Sequence, residues 1–374
     1  MKKIISVILL LLLLTGCTNT KTEQIKEIIF NGYNSAVWIV AYEGDHILYL
    51  SDTEGKLEFS FVNLKSQKIE RIGFFDNYYM FPNPMEIKRY DKKLYTYITK
   101  GDRDNTTISL VEMELKKNSL SELYETAGVE LAHTRTLENS IVGLKTCLDK
   151  KEYVTFLEIY DISDGTTNVI KEERMDRESN SGKVILGFDV EDNNIFLLLQ
   201  KKREYVIQEI NETGKLLNEY ICNDCHFFST GKIAQFYVYN DYITVCSYND
   251  FAIYKIENDS LNLVCESSNC FEFYPANNVE KDKNILFYSN GQNFFILDTS
   301  KNQITVTKAP TIEEEDYIVR AFQYKNEVLY ISYEDEMFKY YMTDIDFLLK
   351  DASEIFRLEP NTKIDLSSLT QFPN

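Results

Sequence analysis

The densest group of chemically capable side chains in this 374-residue sequence is Cys222-Asn223-Asp224-Cys225-His226. Cys-x-x-Cys-His is the spacing that attaches c-type haem. The two thiols add to vinyl groups and the histidine ligates the iron. Neither His46 nor His133 is an evident second ligand in sequence. The same thiols belong to a larger set, Cys147, Cys222, Cys225, Cys246, Cys265 and Cys270. An even number of cysteines outside the cytoplasm favours disulfides, and connectivity cannot be read from spacing. A Cys-x-x-Cys together with a Cys-x4-Cys could instead supply the four thiolates of a zinc site. Partly buried thiols that do no chemistry are the fourth reading. The sequence leaves all four open and assigns no cofactor or metal.

A second set of groups could converge without being close in sequence. His133 and Arg135 are two residues apart, so on a strand they share a face. Glu86, Arg89, Asp189, Glu272 and Arg320 fall on other segments expected to take the same structural position. Such a ring of polar groups could bind a small anion or a sugar. It could equally be a wet, self-paired channel mouth. No catalytic residue is assigned. There is no Gly-x-Ser-x-Gly elbow and no Gly-x-x-x-x-Gly-Lys loop. Asp102-Arg103-Asp104 and Asp189-Val190-Glu191-Asp192-Asn193 lack the glycine and the distal glutamate of a calcium loop and read as polar turns.

These groups are carried by a repeat. An alternating apolar strand, a polar turn and a second strand recur at 59–72, 110–124, 157–170, 206–220, 252–264 and 295–306, with a weaker instance at 339–349. The residues leading into the turns are Asn63, Glu114, Asp161, Glu209, Lys255, Asp298 and Asp344, spaced by 51, 47, 48, 46, 43 and 46. Upstream of each lies another pair of β runs around a polar turn, such as Asp91-Lys92, Asp192-Asn193 or Asn240-Asp241, which is a hairpin signal. Four strands per unit of roughly 40–50 residues, repeated about seven times, predicts a β-propeller. The expected fold is therefore all-β, with seven four-stranded blades over residues 24–374 and the segment 24–30 closing the ring. The unit Leu297-Asp298-Thr299 to Ile304-Thr305-Val306 loosely resembles bacterial surface propeller repeats. The motifs of Trp-Asp-repeat, quinoprotein and sialidase propellers are absent, and Trp38 is the single tryptophan.

The amino terminus carries a different kind of chemistry. Lys2 and Lys3 precede an apolar run, Ile4 to Leu14, interrupted only by Ser6. This is too short to span a bilayer, which takes about 20 apolar residues. It has the layout of an export signal. Leu14-Thr15-Gly16-Cys17 resembles the lipobox of bacterial lipoproteins. That resemblance implies cleavage after Gly16 and a lipid on Cys17. It divides the chain into a signal peptide (1–16), a lipidated cysteine with a short polar tether (17–23) and the propeller (24–374). It also places the protein at the extracytoplasmic face of the cell membrane, held by its acyl chains.

Loss of Met1–Gly16 removes Lys2 and Lys3, leaving 38 basic against 59 acidic residues and a net charge of −21. Nucleic acid is excluded as a partner, because binding it needs cations to displace counterions. Cations and basic proteins remain compatible. The chain has 26 Tyr and 23 Phe but only 14 Gly and 6 Pro, so Asn and Asp must make most turns. The expected function is a non-catalytic binding module for a protein, glycan or small ligand. The alternatives are a hydrolase or lyase with a polar channel site, and a c-type haem protein.

Overall fold

In the computed structural model the described residues are 25–28, 37–43, 46–53, 56–63, 65–66, 68–76, 88–100, 107–114, 119–202, 204–222, 233–247, 250–257, 260–268, 274–275, 277–281, 285–289, 292–310, 317–334, 337–350, 352, 354–358 and 364–365. They are almost entirely β. After β1 (Ile25–Glu27), the first sheet is β2 (Val37–Glu43), β3 (His46–Thr53), β4 (Lys56–Asn63) and β5 (Ile69–Asp76). The second is β6 (Lys88–Tyr90), β7 (Lys93–Lys100), β8 (Thr107–Glu114) and β9 (Ser119–Ala127). The third is β10 (Glu130–Thr136), β11 (Ser140–Asp149), β12 (Glu152–Asp161) and β13 (Thr166–Asp176). The fourth is β14 (Val184–Glu191), β15 (Asn194–Lys201), β16 (Glu204–Ile210) and β17 (Leu216–Cys222). The fifth is β18 (Ile233–Tyr239), β19 (Tyr242–Ser247), β20 (Asp250–Glu257) and β21 (Ser260–Ser268).

The last two sheets are less regular. After β22 (Tyr274–Pro275), β23 (Asn277–Lys281) leaves its own unit and pairs in parallel with β27 (Tyr317–Lys325). The sixth sheet is β22 with β24 (Ile285–Ser289), β25 (Asn293–Asp298) and β26 (Gln303–Lys308). The repeat also predicts an inner hairpin over 271–289, and the structure splits it between two sheets. The seventh sheet is β27, β28 (Glu327–Glu334) and β29 (Met337–Asp344), completed by β1, whose Ile25 lies opposite Thr343. The expectation of a second strand after Asp344 is corrected: Ile345–Lys350 is a short helix, α1. Its strand position is already filled by β1, and the Asp344 carboxylate accepts the Asp346 amide at 2.7 Å, as a helix cap does. Two carboxy-terminal strands, β30 (Glu354–Arg357) and β31 (Ile364–Asp365), extend the outer edges of the sixth and fifth sheets.

The strand register follows the repeat. The turn-leading residues lie at or near the ends of β4, β8, β12, β16, β20, β25 and β29, the third strand of each sheet. The β14–β15 turn has Asp192 and Asn193 at φ 49° and 65°, the left-handed pair that a two-residue hairpin requires. A bulge recurs at one place on the first strand of five sheets, at Val40, Ala132, Leu186, Ala234 and Val319. Bulges increase local twist.

Packing closes the ring. Each sheet buries apolar side chains against its neighbours. One cluster joins Leu198 and Tyr205 of the fourth sheet to Phe236 and Ile243 of the fifth. Another joins Leu329 and Ile331 of the seventh to Ile47 and Tyr49 of the first. The architecture is an all-β propeller.

Candidate functional site

Three of the polar residues expected on inner strands are described in full, and the fold brings them together. His133 and Arg135 lie on β10 and Asp189 on β14, and all three side chains are buried. Arg135 Nε donates to Asp189 Oδ1 at 2.6 Å, and Arg135 Nη1 donates to the Thr134 carbonyl at 2.8 Å. The second carboxylate oxygen of Asp189 accepts the Val238 amide of β18 at 2.7 Å. One ion pair thereby ties the inner strands of the third, fourth and fifth sheets. The guanidinium lies 5.1 Å from the Tyr237 ring centroid. Gly187 makes the close approach of β14 and β18 possible, because a Cβ there would lie 3.1 Å from Cβ of Phe236. His133 Nδ1 is buried without a hydrogen-bond partner. Burial, reinforced by the Arg135 charge, pushes its pKa down to about 3 and holds the ring neutral. Arg89 and Arg320 belong to β6 and β27, but their side chains, and all of Glu86 and Glu272, lie outside the described residues.

Three of the cysteines, Cys147, Cys246 and Cys265, are described with their side chains. Cys222 ends β17, while Cys17, Cys225, His226 and Cys270 lie outside the described residues. Cys147 is a half-buried thiol on β11 whose pKa is raised by burial and by Asp149. Cys246 and Cys265 are fully buried in one apolar cluster between the fifth and sixth sheets. In the repeat scheme Cys222/Cys225 and Cys265/Cys270 fall in two successive connections between blades, and for Cys265 the structure corrects this. Cys265 lies within β21, opposite Ile253, because β21 continues to Ser268.

A concavity among the described residues lies elsewhere, on the face that carries the hairpin turns. It encloses about 640 Å³ and crosses three successive sheets. The fourth sheet contributes Glu191, Asp192, Asn194, Phe196 and Glu209; the fifth Asn240, Asp241, Tyr242 and Lys255; the sixth Thr299, Ser300 and Asn302. Asn240 is its keystone. The Asn240 amide donates to Glu191 Oε1 at 3.2 Å, and its side-chain Nδ2 donates to Thr299 Oγ1 at 2.9 Å. Tyr242 Oη donates to Asn302 Oδ1 across the next boundary. Glu209 is held from three sides by Asn194, Asn218 and Tyr220, at 2.7, 2.7 and 3.2 Å. Lys255 pairs with Glu257 at 2.8 Å, and its pKa is raised chiefly by that bond. Asp192 and Asp241 project exposed carboxylates at the rim. Four carboxylates therefore face one ammonium, with an aromatic wall from Phe196 and Tyr242 and hydroxyl and amide groups between. This groove suits a ligand carrying positive charge and hydrogen-bond donors. In sequence Asp192, Asn240 and Asp241 read only as hairpin turns, and Glu209 and Lys255 as residues leading into turns.

A buried polar knot between the second and third sheets also went unread. Lys145 of β11 is fully buried and donates to Glu158 of β12 and, at 3.1 Å, to Tyr124 Oη of β9. Tyr124 bonds Tyr97 Oη at 2.9 Å and Glu158 as well. Burial lowers the lysine pKa, and Glu158 opposes that shift. Among the described residues no group of three or more His, Cys, Asp or Glu is placed to hold a metal ion.

Residues 1–18 match the family model of the prokaryotic membrane lipoprotein lipid attachment site. Among the described residues no helix is long and apolar enough to cross a membrane. No curated protein matches the chain. Solved structures do match it. An oligogalacturonate lyase from Vibrio parahaemolyticus is 12% identical, with 86% of this chain and 96% of that one covered and a TM-score of 0.51. An oligogalacturonate lyase in complex with manganese is 11% identical, with 86% and 97% covered and a TM-score of 0.53. The N-terminal domain of Nup159 is 10% identical, with 86% and 95% covered and a TM-score of 0.50. At these identities the likeness is one of fold, and a shared fold does not carry an activity with it.

Proposed function

We propose that the mature chain is a non-catalytic binding module, anchored through a lipid on Cys17 at the extracytoplasmic face of the membrane, whose ligand occupies the groove of the fourth to sixth sheets. The observation that carries this reading is the groove itself, a cavity of about 640 Å³ assembled from the turns of three sheets that Asn240 locks together. A rigid, mostly pre-formed concavity with a few convergent polar groups is the usual form of a binding site. Its excess of carboxylates selects a cationic ligand, a basic peptide segment being the simplest. The inner-strand groups first considered for binding support the same choice from the other side, since Arg135 and Asp189 are committed to each other and closed to water. His133, held neutral and buried, is poorly suited to act as a general base on a substrate.

Hydrogen exchange with and without an octalysine peptide tests the location. Added peptide is expected to slow exchange in segments 189–196, 238–243 and 297–303. Protection confined to other segments, or none at peptide concentrations that saturate binding, contradicts the reading.

A further inference from the structure

Resting on the groove and the lipid anchor proposed above, we infer that the anchored propeller holds its hairpin-turn face toward the bilayer, and that the groove receives a basic segment of another membrane protein close to the membrane surface. Chain direction and tether length set this orientation. β1 runs antiparallel to β29, with Ile25 opposite Thr343 and Glu27 opposite Tyr341. The Ile28 amide then donates to the Tyr340 carbonyl at 2.8 Å, further along the same direction. The chain therefore enters the fold beside the end of β29, where Asp344 closes the strand. That end belongs to the face that carries the β14–β15, β18–β19 and β25–β26 turns, and so to the face of the groove.

Cys17 is eight residues before Ile25. At roughly 3.3–3.6 Å per residue this tether reaches about 29 Å when fully extended. An eight-residue strand such as β28 is itself about 26 Å long. To turn the opposite face to the membrane, the tether would have to run straight along the whole height of the rim and leave almost nothing for insertion of the lipid. The turn face therefore lies nearer the membrane than the opposite face. Anionic headgroups are repelled by Glu191, Asp192, Glu209 and Asp241, so lipid is a poor occupant. A cationic protein segment in the same layer has the complementary charge. Tethering both partners to one surface also raises their effective concentration.

The test uses the full lipidated protein in phosphatidylcholine vesicles that contain a headgroup-linked quencher. A dye is coupled to p-azidophenylalanine placed at Asp164 or Asp192 on the turn face, or at Glu178 on the opposite face. Quenching is expected to be severalfold stronger at the first two positions. Insertion of a 20-residue Gly/Ser segment after Thr20 is expected to abolish the difference. Equal quenching at all three, or stronger quenching at Glu178, overturns the orientation. A second arm uses octalysine, either free or acylated into the same vesicles. Binding of both forms, lost in Asp192→Asn/Asp241→Asn, supports the partner assignment. Binding of the free form alone also overturns the orientation. Binding of neither form, with the dye asymmetry intact, removes the groove reading and the partner with it while the orientation stands.

Discussion

Arg135 Nε stands 2.6 Å from Asp189 Oδ1, with 2% and 1% of the two side chains exposed, and this pair bridges the inner strands of the third and fourth sheets. Breaking a buried pair by removing one partner leaves the other charge uncompensated, at a cost of about 3–5 kcal/mol. Asp189→Ala is therefore expected to lower unfolding stability by that amount in urea titrations. Arg135→Met combined with Asp189→Asn should lose much less, since no charge is stranded and the side-chain amide oxygen can still accept the Val238 N–H. A single variant within about 1 kcal/mol of the wild type would show that the pair is not a staple.

His133 gives the fold a pH dependence of defined sign. Its ordinary pKa of 6.5 is depressed to about 3 in the folded chain. Between those values the unfolded chain binds a proton that the folded chain does not. Stability contributed by the neutral ring is thus complete above pH 6.5 and falls as the pH drops toward 3. The slope approaches about 1.4 kcal/mol per pH unit. In urea titrations at pH 4, 5 and 7, His133→Gln should flatten the curve relative to the wild type. Parallel curves would mean that the histidine takes up its proton in the folded state.

Lys145 and Glu158 make a second buried pair, backed by the Tyr124 and Tyr97 hydroxyls. Lys145→Met strands a carboxylate between two sheets and should cost about 3–5 kcal/mol. Adding Glu158→Gln to that variant should recover a large part, because Tyr124 can still bond the amide. Circular dichroism during urea titration measures both. Failure of the second substitution to recover stability would place the loss in packing and not in charge.

The thiols should differ in reactivity. Cys246 and Cys265 are buried to 0% exposure, while Cys147 is half-buried. After mild reduction, maleimide is expected to modify Cys147 in the native protein, slowly because its pKa is raised. Cys246 and Cys265 should react only in urea. Peptide mass spectrometry reads all three sites. Native-state modification of Cys265 would contradict its place inside β21.

The repeat was legible because each sheet obeys the same local chemistry. Asp161, Asp298 and Asp344 end third strands, where a short polar side chain starts a turn. With glycine scarce, Asp192, Asn193 and Asn240 supply the left-handed residues. Ring closure by β1 could be read from the apolar segment after the tether. Side-chain partnerships between sheets could not. Arg135 and Asp189 are 54 residues apart, and nothing local shows that they face each other. Lys145 and Glu158 look like any solvated cross-strand pair until the neighbouring sheet covers them. The groove was hidden for a related reason, since its residues come from the turns and adjoining strand segments of three repeats and only the curvature of the ring assembles them.

If the groove of the fourth to sixth sheets binds a cationic ligand, its affinity must depend on the groove's own carboxylates. The most direct measurement is an isotherm for octalysine on the lipidated protein, compared between Asp192→Asn/Asp241→Asn and a control that removes the same charge elsewhere, Glu130→Gln/Glu204→Gln. At roughly 0.5 kcal/mol for each exposed charge contact, the groove variant is expected to weaken binding about fivefold while the control stays near the wild type. Equal weakening in both variants would mean that the peptide senses only net charge, and the assignment of the groove as the binding site would fall.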